Sequence, residues 1–136
     1  MTATETAEAP TWIAGPTPVA IHAQQVERYG GSHGVADSEV LLSVVAEPVA
    51  RWADDPWTDL ADVAAAYLVE FVRGHGFRDG NRRTGLAMAL TFLALNDAPL
   101  HVPPAELYAL TMAVESGRAD ATVVAAYIRT RLAATE

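Results

Sequence analysis

Apolar residues recur along most of this chain at helical spacing, and the clearest run is Leu60, Val63, Ala64, Tyr67, Leu68 and Phe71. They fall at i, i+3, i+4, i+7, i+8 and i+11, which makes one buried stripe of a helix that Thr58 is placed to cap and Gly74 to close. From about Asn81 to Leu95 the chain is apolar on nearly every side after Arg83, the pattern of a helix lying in the middle of its domain. Asn96 is expected to supply its left-handed C-terminal residue. Four further helices are predicted around these two. Thr17-Pro18 opens one that passes through Val26 and Tyr29 and stops at Gly30-Gly31, and Asp37-Ser38 opens another from Glu39 to about Ala46, ended before Pro48. Pro103-Pro104 starts a helix through Leu107, Leu110 and Val114 that stops at Gly117. Asp120 caps the last, which buries Val124, Tyr127, Ile128 and Leu132. The stretch 48–57 reads as an ordered loop, with the turn signal Asp54-Asp55-Pro56 and two tryptophans, Trp52 and Trp57, expected to pack. A short hairpin there is the likeliest β element, because no sustained alternation occurs anywhere. The expected fold is therefore all-α, a compact array of about six helices over residues 17–136. Residues 1–16, rich in Thr, Ala, Glu and Pro, predict a disordered tail.

Composition narrows the class. With 136 residues, 51% hydrophobic and 19% charged, the chain fits one soluble globular domain that needs no metal or disulfide staple. The absence of cysteine excludes a disulfide scaffold, a thiolate metal site and a cysteine nucleophile. Residues 1–16 carry Glu5 and Glu8 without an apolar stretch, unlike a signal peptide, so the cytoplasm is the expected compartment. A net charge of −8 argues against nucleic acid and anionic membranes as partners. The distribution of charge says more than its sum. Every basic residue is an arginine, and Arg73, Arg78, Arg82 and Arg83 fall within one short segment that holds a single acid, Asp79. A basic island in an acidic chain suits a small anion.

That island is Arg73-Gly74-His75-Gly76-Phe77-Arg78-Asp79-Gly80-Asn81-Arg82-Arg83-Thr84, and it joins the two strongest helices. A helix starting near Asn81 directs unpaired backbone N–H groups and its positive end at this loop, a ready anion site. Arg82 and Arg83 add permanent charge. Asp79 offers one hard oxygen ligand, which suits Mg²⁺ shared with phosphate oxygens. Histidine titrates near neutrality, so His75 can accept a hydroxyl proton. Phosphate cradle, metal ligand and base together make a phosphoryl-transfer site. Asp79 and Asn81 also suit helix capping, which uses the same geometry, and Arg73 and Arg78 suit solvent equally well. His22, His33 and His101 show no metal-ligand spacing and read as structural or surface residues. No G-x-S-x-G elbow is present.

The same segment resembles the Fic/Doc signature His-x-Phe-x-Asp/Glu-Gly/Ala-Asn-(Gly/Lys)-Arg, met by His75, Phe77, Asp79, Gly80, Asn81 and Arg83. The likeness extends to the upstream helix around Ala64–Val69, to Tyr29-Gly30-Gly31 and to Phe92-Leu93 with Asn96, covering about 19–134. It implies a Doc-type toxin of a toxin–antitoxin pair, an enzyme using ATP and Mg²⁺. The roles carried over are His75 as base, Asp79 as the Mg²⁺ ligand, and Phe77 as anchor of the loop in the core. Gly80, Asn81, Arg82 and Arg83 build the phosphate site, joined by Arg73. The implied reaction is transfer of the γ-phosphate to a serine or threonine of a cytosolic protein, elongation factor Tu by resemblance, which would arrest translation. Two departures bear on the reaction. Fic proteins that transfer AMP have Gly where Arg82 stands and a second Arg where Leu86 stands, whereas Doc proteins carry Lys at the former position. AMP transfer, or nucleotide or antitoxin binding without turnover, are the alternatives. Ser43-Val-Val-Ala-Glu47 matches the core of Fic autoinhibitory helices only superficially, since Pro48 follows it. Inhibition in trans by a Phd-like antitoxin is the implied control.

Overall fold

The computed structural model describes residues 8–56 and 58–134. Six helices follow one another: α1 (Thr17–Tyr29), α2 (Ser38–Asp54), α3 (Leu60–Gly74), α4 (Asn81–Leu95), α5 (Pro104–Glu115) and α6 (Ala121–Ala134). Among the described residues there is no strand, only an isolated antiparallel bridge between Val35 and Phe77. The all-α architecture is the one the apolar spacing implies. None of the described helices is long and apolar enough to cross a membrane.

The hub is α3. Val63, Ala64, Ala65, Ala66 and Leu68 are wholly inaccessible, and α2, α4, α5 and α6 all pack on this helix. Four small residues in its first turns let neighbours approach from several sides. The central place expected for α4 thus belongs to α3. α4 lies between α3, α1 and α5, and its end emerges at the surface, where Leu95 is half exposed. Their contact is tight because of Gly85: a Cβ there would sit 3.0 Å from the Phe71 Cβ and 3.2 Å from the Leu68 carbonyl oxygen. α3 starts one residue later than expected, since Asp59 and not Thr58 is its cap, in a reciprocal capping box with Asp62. Arg129 of α6 bonds both carboxylates and fastens α6 to that end of α3.

Three expectations fail where packing overrides local signals. Helix α2 does not end before Pro48 but continues through it to Asp54, so 48–54 is neither loop nor hairpin. Proline in a helix interior costs about 3 kcal/mol. Here Leu41, Val44, Pro48 and Trp52 continue one helical stripe onto the core, and their burial outweighs that cost. Trp52 packs as expected; Trp57 lies outside the described residues. The predicted tail is ordered from Thr11 onward, while residues 1–7 lie outside the described residues. Trp12 packs against Trp52 and Phe92 at ring separations of 6.3 and 5.9 Å, and Ile13 is buried. Asn96 holds this segment by two bonds to the Thr11 backbone, at 2.7 and 3.0 Å. That task replaces the left-handed conformation expected of Asn96, which passes to Asp97 at φ 59°.

Candidate active site

The loop between α3 and α4 is built from the inside outward. Phe77 is buried, stacks face to face on His22 of α1 at 3.8 Å, and lies near Phe71 of α3. Asn81 then closes the loop on Phe77 from both directions. Its side-chain oxygen accepts from the Phe77 N–H at 3.1 Å, and its amide nitrogen donates to the Phe77 carbonyl at 2.9 Å. The Asn81 side chain is thus committed to shaping the loop, and only its backbone is left for an anion. On the outer side, the α1–α2 connection pairs with the loop through Arg78 N–H to the Gly34 carbonyl and Ala36 N–H to the Gly76 carbonyl. His22, an isolated residue in the sequence, belongs to the site through this frame: its Nε2 lies 2.7 Å from the Asp79 carbonyl oxygen and donates to it.

Within that frame His75 ends α3 in the left-handed conformation (φ 54°, ψ 43°) and is exposed. It lines a cleft of about 650 Å³ with Asp79, Gly80, Asn81, Arg82 and Arg83. The opposite wall comes from α5, through Pro104, Leu107, Tyr108, Thr111 and Glu115. Of the predicted site residues, only two do not line this cleft. Phe77 lies beneath it as expected, and Arg73 is turned away, with its guanidinium beside Gly117. Arg78, left undecided by the sequence, does line it.

The electrostatics follow from backbone groups. The Asp79 Oδ2 accepts from Ser32 N–H at 3.1 Å and Oδ1 from Gly80 N–H at 2.9 Å. These two bonds, aided by the positive charge of Arg83, hold the carboxyl below the usual carboxylate range against a small burial penalty. Asp79 therefore stays anionic at any working pH, and its loop-fixing bonds weaken only as pH falls through that lowered value. Each oxygen accepts one of these bonds, and the residue is exposed. Among the described residues no group of three or more His, Asp or Glu is placed to hold a metal alone. A single exposed carboxylate fits an ion shared with phosphate oxygens better than a closed protein cage.

The start of α4 completes the arrangement. Asp37, Asp59 and Asp120 cap α2, α3 and α6, and α1 and α5 begin with prolines, which lack an N–H. α4 alone among the described helices has neither device, only Gly80 in a left-handed turn. The residues of its first turn line the cleft, and an uncapped helix start leaves N–H groups there for an anion. Arg83 donates to the Gly30 carbonyl at 2.7 Å and lies over the Tyr29 ring, which fixes the guanidinium beside Asp79.

Residues 17–93 match the sequence profile of the Fic/DOC family. This chain belongs to the Fic/DOC family. Two relatives agree. A protein named Protein kinase doc, from Escherichia phage P1, is 38% identical over 111 residues, which cover 82% of this chain and 87% of the phage protein. A protein named Toxin Doc, from Mycolicibacterium smegmatis, is 41% identical over 73 residues, 53% of this chain and 56% of the relative. The matched profile ends within α4, so in this Fic/DOC protein the α5 wall of the cleft lies outside the matched segment.

Close approach at Gly31 supplies one test of the frame. Its φ is +113°, and a Cβ there would lie 2.7 Å from the Asp79 Oδ2. Gly31→Ala is expected to displace the carboxylate from its two backbone donors and so to raise the Asp79 pKa toward the ordinary carboxylate value, which titration followed by NMR reads. An unchanged titration of Asp79 would show that the close approach at Gly31 does not hold the carboxylate in place.

Proposed function

We propose that this protein is a Doc-type toxin that phosphorylates a serine or threonine of a protein target with ATP. The observation that carries this reading is the meeting of His75, Asp79 and the uncapped start of α4 on one cleft. The names of the two relatives support it, one as a kinase and one as a toxin. His75 takes the proton from the target hydroxyl as its oxygen forms a bond to the γ-phosphorus, and the bond to the bridging oxygen breaks to release ADP. The α4 N–H groups and Arg83 bear the negative charge of the phosphates. Asp79 holds Mg²⁺, which supplies charge neutralisation on the phosphates when bound. Elongation factor Tu is the target that the family resemblance suggests, and a Phd-like antitoxin is the partner that restrains the enzyme.

One observation favours a second reading, AMP transfer. Arg82 is drawn across to Glu115 of α5, so it does not crowd the loop as a bulky residue in place of Gly suggests. Parallel incubation of purified elongation factor Tu, and of a cell lysate, with α- and γ-labelled ATP separates the two. Label from the γ position alone on a protein band supports the kinase. Label from the α position replaces it with AMP transfer, and no label on any protein removes both.

A further inference from the structure

Arg82 and Glu115 are the two charged side chains that face each other across the cleft. Arg82 Nε lies 3.4 Å from Glu115 Oε2, and the guanidinium rests against the Met112 sulfur. Both residues line the cavity. The pair contributes little to stability, because each side chain is more than 40% exposed. α5 is instead seated by Thr111 and Val114, its buried residues. Glu115 is also the one acid that α5 gives to the cleft. A carboxylate at the guanidinium Nε draws on the same positive charge and donor edge that a phosphate would take. We infer that Glu115 is a built-in competitor for phosphate at Arg82, and so sets the affinity of the cleft for nucleotide. The nucleotide enters by taking Arg82 from Glu115, and departure of the product returns Arg82 to it. This inference rests on the nucleotide reading of the cleft.

The test is a binding cycle on the full chain, by calorimetry with ATP and Mg²⁺ at fixed ionic strength. Wild type, Glu115→Gln, Arg82→Ala and the double variant are compared. Glutamine keeps the shape of Glu115, and thermal unfolding of each variant checks the fold. Glu115→Gln is expected to tighten ATP binding about three- to tenfold, the worth of an exposed ion pair plus the repulsion relieved. In the Arg82→Ala background the same substitution is expected to give about twofold or less, since no guanidinium remains to compete for. Binding unchanged or weakened by Glu115→Gln overturns the inference and leaves the nucleotide site standing. An equal gain in both backgrounds also overturns it, by reducing Glu115 to a repulsive charge at a distance. Failure of all four proteins to bind ATP removes the nucleotide reading itself, and the inference with it.

Discussion

Replacing His75 with alanine is expected to slow transfer to the protein target by about 10²–10⁴-fold, the usual worth of a positioned general base. The fold should survive. His75 is exposed, so its removal opens no cavity, and it makes none of the bonds that close the loop, which come from Asn81, His22 and the 34–36 segment. The left-handed backbone at this position is already borne by a residue with a Cβ, so alanine adds little strain. Single-turnover transfer at saturating ATP should therefore fall while the melting temperature moves by no more than a few degrees. ATP affinity should also hold, because the proposed function gives the phosphates to α4 and not to the base. A variant that transfers phosphate within a few-fold of wild type would take His75 out of the proton-transfer step.

Phe77→Ala should act in the opposite sense, on stability first and on activity as a result. The ring is almost wholly buried between His22 and Phe71, and truncation of such a residue costs about 3–5 kcal/mol. A domain of this size is stable by about 5–15 kcal/mol in total, so a large share is lost. The cavity opens beneath Asp79 and Gly80, where the stack with His22 and the bond from His22 to the Asp79 carbonyl form one unit. Urea unfolding followed by circular dichroism measures the loss. Phe77→Leu should recover part of it, since much of the volume returns. A destabilisation by Phe77→Ala of less than about 1.5 kcal/mol would mean that the loop is anchored elsewhere.

The sequence carried the helices and the loop because their signals are local. The stripe from Leu60 to Phe71 and the run His75 to Arg83 each lie within one stretch of chain, and the stripe became the hub helix and the run the cleft edge. What it hid depends on distant partners. Nothing around His22 in α1 announces that it stacks on Phe77, 55 positions later in the chain, and no spacing rule connects Glu115 with Arg82. Trp12 and Ile13 were masked by a Thr-, Ala- and Pro-rich setting, although two large apolar residues in such a stretch are themselves a signal of packing. Pro48 misled for the converse reason. Its local preference is strong, and the continuation of its stripe to Trp52 was the contrary sign that mattered more. Arg73, adjacent to the loop in sequence, is carried off toward Gly117 by the last turn of α3.

The cleft has two walls of very different freedom. On the side of α3 and α4, most of the lining apart from His75 is tied to a neighbour: Asn81 to Phe77, Asp79 to Ser32, Arg83 to Gly30, so few substitutions there can pass without disturbing the rest. On the other side α5 has only two buried residues, and Tyr108 presents most of its ring to solvent while bordering the cleft. Mutation can therefore explore α5 at small cost in folding. Under the proposed function, a lineage could drift in which nucleotide it accepts, or how tightly, by changes at Leu107, Tyr108 or Glu115, while the residues given the proton-transfer and phosphate-binding roles stay as they are. Chemistry and selectivity would then evolve at separate rates within a single small protein.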